Sequence, residues 1–146
     1  MSETDDTKRI RELMTHRLAA VQSRDVDALM ARYLPGVVHF DLAPPLVSVD
    51  RPVADPAGLR RWFDGFEGPI DYEIRQLVVV CGGDVAFSHS VNRMSAVPTG
   101  GRTFSLWFRS TVGWQRRDDD WFIGHEHSSV PFHMDGSLRA AVDLTP

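Results

Sequence analysis

Residues 56–97, PAGLRRWFDGFEGPIDYEIRQLVVVCGGDVAFSHSVNRMSAV, change their hydrophobic rhythm part-way, and that change decides the fold class. Before Gly68-Pro69, the apolar residues Leu59, Trp62, Phe63 and Phe66 recur at i, i+3, i+4 and i+7, the spacing of one helix face. Asp55-Pro56 supplies a capping side chain followed by a proline suited to the first helical turn. From Ile70 the period drops from 3.6 to 2, predicting strands over Ile70–Cys81 and Val85–Val97 with Gly82-Gly83-Asp84 as the reversal between them. In the second strand Val85, Phe87 and Val91 alternate with Ala86, Ser88, Ser90 and Asn92. One face is therefore apolar, and the other is small or polar.

Working toward the C-terminus, Arg102–Arg117 and Trp121–Val130 read as two further strands. Their turns are Pro98-Thr99-Gly100-Gly101 and Asp118-Asp119-Asp120. Strands joined by such short turns form an antiparallel meander. Toward the N-terminus, Ile10, Leu13, Met14, Leu18 and Val21 define a helix from about Thr4 to Ser23. Asp25 caps a short second helix carrying Val26, Leu29, Met30 and Tyr33, which Pro35-Gly36 stops. Val37–Asp41 is a short strand ending near Pro44-Pro45. The expected architecture is α+β: three helices from the first half packed on a curved antiparallel sheet that encloses a pocket. The chain reads as a single domain over residues 1–146, with a C-terminal tail from 133 to 146. The sheet's second face needs cover, most simply from another copy, so a homodimer is expected.

Bulk composition narrows the function. At 146 residues and 42% hydrophobic, the chain suits one domain with a sizeable core. A net charge of −4 with interspersed signs leaves no electrostatic footprint for nucleic acid or an acidic membrane. No apolar stretch approaches membrane-spanning length, and the acidic start Met1-Ser2-Glu3 lacks an export signal. With Cys81 as its lone cysteine, the chain is expected to be cytoplasmic. Phosphate loops, dinucleotide fingerprints, nucleophile elbows and paired-cysteine zinc motifs are absent, so no cofactor is expected.

Several separated blocks resemble one known family. They are Arg24-Asp25-Val26-Asp27-Ala28-Leu29, Tyr33-Leu34-Pro35-Gly36-Val37-Val38-His39-Phe40-Asp41, Arg109-Ser110-Thr111, Trp114-Gln115-Arg116-Arg117-Asp118 and Trp121 to Phe132. In order and spacing they resemble the SnoaL-like and ketosteroid-isomerase-like proteins of the nuclear transport factor 2-like superfamily, over roughly residues 5–132. The last block is also similar to the calcium/calmodulin-dependent kinase association domain. The resemblance implies a cone-shaped sheet around a small-molecule pocket. It implies no single chemistry, because the fold hosts isomerases, epoxide hydrolases, cyclases, dehydratases and non-catalytic dimerisation modules.

The resemblance also implies site residues. Asp41 matches the place of the proton-shuttling carboxylate of ketosteroid isomerases, although an aspartate there also suits a turn cap before Leu42. The isomerases' oxyanion-binding tyrosine and protonated acid correspond to Arg17 and Thr111, which argues against ordinary ketosteroid isomerisation. Epoxide hydrolases of this fold carry an arginine and two acids. Arg109 and Glu126 fit two of these places, while Thr111 replaces the third group. Asp41 and Glu126 as bases with Arg109 as anion stabiliser form the expected catalytic set, acting on a small apolar carbonyl or hydroxyl compound. Trp62, Phe63, Phe66, Ser88, Ser90, Asn92, Thr111 and Ser128 are the expected ligand contacts.

The 125–127 triplet His-Glu-His poses a parity question. In a strand His125 and His127 share one face and Glu126 the other. If Trp121 and Ile123 face inward together with the histidines, then His125 and His127 replace Glu126 as acid/base groups. A metal held by His125 and His127 needs a third ligand among His39, Asp41 and His89, none at a fixed spacing, so no metal site is assigned. The rival to an enzyme is a non-catalytic dimerisation or ligand-sensing module. A cavity of a few hundred cubic ångströms with converging Asp41, Arg109 and Glu126 separates the two.

Overall fold

The computed structural model describes residues 4–50 and 55–146; the first three residues of the acidic start lie outside them. Among the described residues the chain forms three helices and six strands, in the order α1 (Asp5–Ser23), α2 (Val26–Met30), β1 (Tyr33–Phe40), β2 (Ser48–Val49), α3 (Pro56–Asp64), β3 (Phe66–Gly82), β4 (Val85–Pro98), β5 (Phe104–Arg117) and β6 (Asp120–Ser129). The helices pack on a curved, unclosed mixed sheet of order β2-β1-β6-β5-β4-β3. β3 to β6 form the expected antiparallel meander. β1 instead joins β6 in parallel, a long-range pairing that local patterning does not encode.

Each helix begins where its cap dictates. Thr4 Oγ1 accepts the Thr7 N–H at 3.2 Å, Asp25 accepts that of Ala28 at 3.0 Å, and Asp55 accepts that of Gly58 at 2.9 Å. The ends differ from expectation. α2 stops at Met30 rather than at Pro35-Gly36, so Tyr33 opens β1 instead of closing a helix. Pro35 and Gly36 lie in an irregular stretch of β1, where Gly36 takes φ +80°. α3 likewise ends at Asp64, and Phe66 begins β3. The Arg24 guanidinium secures that junction by donating to the Phe63 carbonyl at 2.6 Å and to the Phe66 carbonyl at 3.2 Å.

Buried side chains fall into two apolar clusters. One joins the end of α1 to α2, α3 and the far ends of β3 to β5 through Val21, Leu29, Phe63, Ile70, Met94 and Phe108. The other joins the first half of α1 to β1, β5 and β6 through Ile10, Leu13, Val37, Trp114, Trp121 and Ile123. At about 25 cal/mol per Å² of apolar area, these clusters are the main stabilising term. Most of the buried polar side chains lie on the inner faces of β1, β4 and β5: His39, Ser88, Ser90, Asn92 and Ser110.

Candidate functional site

Strand pairing fixes which side chains reach the interior, because partners across a ladder share a face. Ser90 pairs with Ser110, and Ser110 with Ser128, so a row of three hydroxyls crosses β4, β5 and β6 on the concave side. The same register sends Arg109 and Thr111 to the opposite face, where both are exposed. Arg109 there donates to Ser129 Oγ at 3.2 Å. The expected inward placement of Arg109 and Thr111 is therefore corrected: Phe108, Ser110 and Val112 hold the inner positions of β5.

The parity question in β6 has an answer that strict alternation does not offer. Gly113 pairs with His125, whereas Trp114 pairs with Ile123, so Gly124 is an extra residue in β6. Such a bulge resets alternation. Trp121 and Ile123 are buried before it, and Glu126 points inward after it. His125 and His127 are turned outward against Phe40, with ring centroids 4.8 and 5.3 Å from it. His125 Nδ1 also lies 2.8 Å from the Val38 carbonyl and donates to it.

Glu126, 13% exposed, is the centre of a buried cluster. Arg17 from α1 reaches its Oε1 through Nη2, and the same Nη2 donates to the Tyr33 hydroxyl at 2.7 Å. Tyr33 in turn donates to Glu126 Oε2 at 2.6 Å. His39 Nδ1 lies 3.3 Å from that oxygen, and its side chain is 5% exposed. A second string lies on the far wall, where Ser90 donates to Asn92 Oδ1 at 2.7 Å and Asn92 donates to the Tyr72 hydroxyl at 3.1 Å. Two buried nitrogens have no partner among the described residues, Arg17 Nη1 and His39 Nε2.

Burial and charge set the protonation states. Burial pushes the His39 imidazole below its ordinary value of 6.5, against an upward pull from Glu126 and Asp41. A neutral His39 that faces a carboxylate through Nδ1 carries its proton there, leaving a lone pair on Nε2. Burial opposes the charge on Arg17 more than any single neighbour favours it, but Glu126 together with Tyr33 and Tyr72 outweighs it and keeps the guanidinium protonated. Burial raises the hydroxyls of Tyr33 and Tyr72, so both remain phenols. The cluster thus offers a base at Nε2 and a charged donor at Nη1, both organised by one carboxylate.

The other expected contacts are dispersed. Asp41 lies just past the end of β1, exposed, with Oδ1 accepting the Leu42 N–H at 3.0 Å. Its charge favours the protonated form of His39. Phe63 is core and Phe66 packs against that core, whereas Trp62 is 47% exposed and packs its ring edge-on to Phe66 at 5.1 Å. Ser88 accepts the Trp114 indole N–H at 2.9 Å. The prospective metal ligands do not converge, since His39 faces inward and His125 and His127 outward. Among the described residues no group of three or more metal-ligating side chains comes together. Sequence reasoning missed His39 as a base. Its alternation with buried Val37 was the available signal.

A cavity of ≈ 310 Å³ adjoins the cluster, lined by Leu13, His16 and Arg17 of α1, by Ala28, Leu29, Ala31 and Arg32 around α2, and by Trp114 and Ile123 of the sheet. The cavity has the anticipated size. Its polar wall is His16, Arg17 and Arg32, not the anticipated Asp41, Arg109 and Glu126.

A model of the SnoaL-like domain matches residues 10–133. Among solved structures, an NTF2-like protein of unknown function from Pseudomonas putida KT2440 is 32% identical, with 100% of this chain and 99% of that one covered and a TM-score of 0.84. A ketosteroid isomerase-like protein from Erwinia carotovora atroseptica SCRI1043 is 18% identical over 87% of this chain and 97% of the other, with a TM-score of 0.70. An NTF2-like superfamily protein from Salmonella enterica is 15% identical over 89% and 94%, with a TM-score of 0.72. No curated protein matches the chain significantly.

Proposed function

The chain belongs to the SnoaL-like domain family of the nuclear transport factor 2-like fold, and on that premise we propose that it is a small-molecule enzyme performing cofactor-independent proton transfer on an apolar carbonyl compound. The observation that carries this reading is the pair of unpartnered nitrogens on Arg17 and His39, two of Glu126's three neighbours. A buried polar atom left unpaired costs about 1–3 kcal/mol, and native structures keep few of them. A substrate supplies what both lack, since a carbonyl oxygen accepts from Arg17 Nη1 and a carbon-bound proton goes to His39 Nε2.

The step balances within these groups. The C–H electron pair moves into the adjacent carbonyl as Nε2 takes the proton, and the enolate oxygen is stabilised by the guanidinium. Glu126 then faces an imidazolium through Nδ1 and offsets its charge. Return of the proton to a different carbon isomerises the substrate, while return to the same carbon exchanges it with solvent. The second outcome provides the test, α-hydrogen exchange of a panel of small cyclic ketones in D2O followed by NMR. Exchange should be saturable and fall by about 10²-fold or more in His39→Gln. Wild-type exchange no faster than in buffer, or a fully active His39→Gln variant, overturns the reading.

A homodimer is the second element of the proposal. The outward sheet face carries exposed Val78, Val80, Val85 and Phe87, an apolar surface that a second copy of the same face would bury. Sedimentation should give twice the chain mass for the wild type and a monomer for Phe87→Glu. A monomeric wild type removes this element. The free thiol Cys81 accords with a reducing, cytoplasmic setting, and among the described residues no helix is long and apolar enough to cross a membrane.

A further inference from the structure

The cavity between α1 and α2 is distinct in chemistry from the Glu126 cluster. Six of its nine lining residues are apolar, Leu13, Ala28, Leu29, Ala31, Trp114 and Ile123, and the remaining three are His16, Arg17 and Arg32. Among the described residues no carboxylate lines it. Its ≈ 310 Å³ lies at the lower end of the range for small-molecule sites, about 300–1,000 Å³. The two guanidiniums are positioned from behind. Arg17 Nη2 is held by Glu126 and Tyr33. Arg32 Nη1 is held by Asp120 at 2.8 Å, with its guanidinium over the Phe122 ring. The acids that anchor these arginines belong to the sheet side and do not line the hollow, which presents apolar walls and basic nitrogens.

From this arrangement we infer that the α1–α2 cavity is a binding site for an apolar monocarboxylate, its hydrocarbon against Leu13, Leu29, Trp114 and Ile123 and its anionic head toward Arg17, Arg32 and His16. The complementarity is chemical: a neutral ligand leaves the basic wall unanswered, and a small inorganic anion leaves the apolar wall in water. A carboxylate offers planar, bidentate acceptors that suit a guanidinium. The site goes beyond the proton-transfer reading and shares only Arg17 with it. Through Arg17 an occupant competes with Glu126 for the same cation, so binding here reaches the His39 dyad without touching it.

Calorimetric titration of the full chain with octanoate and with octanamide tests the inference. The two probes match in length and differ in charge. Octanoate should bind one per chain and at least about tenfold more tightly than octanamide, equivalent to about 1.4 kcal/mol. Ala28→Phe fills the cavity from an exposed helix position and should abolish octanoate binding while leaving the thermal midpoint of the free protein unchanged. Ala31→Glu, a second exposed wall position, should weaken octanoate far more than octanamide. His39→Gln should retain octanoate binding even if it loses ketone exchange, which separates this site from the proton-transfer reading. Absence of saturable binding at millimolar octanoate, equal affinities for the two probes, or undiminished binding in both alanine variants overturns the inference.

Discussion

β6 carries two carboxylates, six residues apart, that each join two bases, yet they do different things. Asp120, at the start of the strand, takes Arg9 of α1 at 2.9 Å and Arg32 at 2.8 Å, with the Trp121 N–H on its other oxygen. Its pKa is held well below the usual carboxylate range, first by the Arg9 hydrogen bond and also by Arg32, despite some burial. Among the described residues no buried atom of that network is left without a partner. Glu126 joins Arg17 and His39 in the same way but leaves a nitrogen unsatisfied on each. One network leaves no buried atom unpaired and fastens the helices to the sheet. The other stays open, and an open buried network is costly unless something else completes it.

Neutralising each carboxylate in turn separates the two networks by the largest margin. Glu126→Gln leaves the buried Arg17 charge without its counter-ion, and removal of one partner from such a pair costs about 3–5 kcal/mol. Asp120→Asn acts at a partly exposed site where both arginines keep contact with water, and should cost about 1 kcal/mol. Urea unfolding, with comparable slopes for all variants, measures both. Equal losses would mean that both networks are structural, and the distinction drawn from the unpartnered nitrogens would fail.

Acid separates the two networks by a smaller amount. His39 has a folded pKa below its unfolded value of 6.5, so the unfolded chain binds the extra proton first as pH falls. The stabilisation is complete above pH 6.5 and declines as pH drops through that value toward the folded pKa. One proton limits the slope to about 1.4 kcal/mol per pH unit. Asp120, whose folded pKa is depressed from 3.8, loses its contribution only below about pH 4. Stability measured from pH 8 to pH 3 should thus show two separate declines. His39→Gln should flatten the upper one alone. A variant with the wild-type slope between pH 6.5 and 5 would refute the neutral, buried state of His39.

The same contrast shows what the sequence disclosed. The period change at Gly68-Pro69, the caps and the turns sufficed for three helices followed by a meander, because each is a local property of neighbouring residues. The parity of β6 was out of reach. Trp121 and Ile123 point inward as alternation allows, yet Glu126 joins them because Gly124 adds a residue; a glycine inside a strand often marks a bulge, but it takes the pairing register to show that one is present. Arg109 and Thr111 were placed inward by likeness to other proteins. Alternation from Ser88, Ser90 and Asn92 on the neighbouring strand needs the pairing register to correct it, and register is a tertiary fact. Asp41 shares parity with His39, but β1 ends at Phe40, so the carboxylate leaves the interior one residue too soon. Arg17, read as a departure from an isomerase pattern, is the cation on which the inner site depends.

The smallest expected effect concerns the outer face. Arg109 is exposed and bonded to Ser129, on the side of the sheet away from Glu126. Its guanidinium therefore has no path to a substrate held by Arg17 and His39, unless a second copy brings it to another chain's site. Arg109→Ala should change stability by less than about 0.5 kcal/mol, as exposed substitutions generally do. Ketone exchange in that variant should match the wild type at both low and high protein concentration. A loss of exchange that appears only at concentrations where the protein is dimeric would show that the two faces of the sheet are not independent. The open network of one chain would then be completed by Arg109 from the outer face of another.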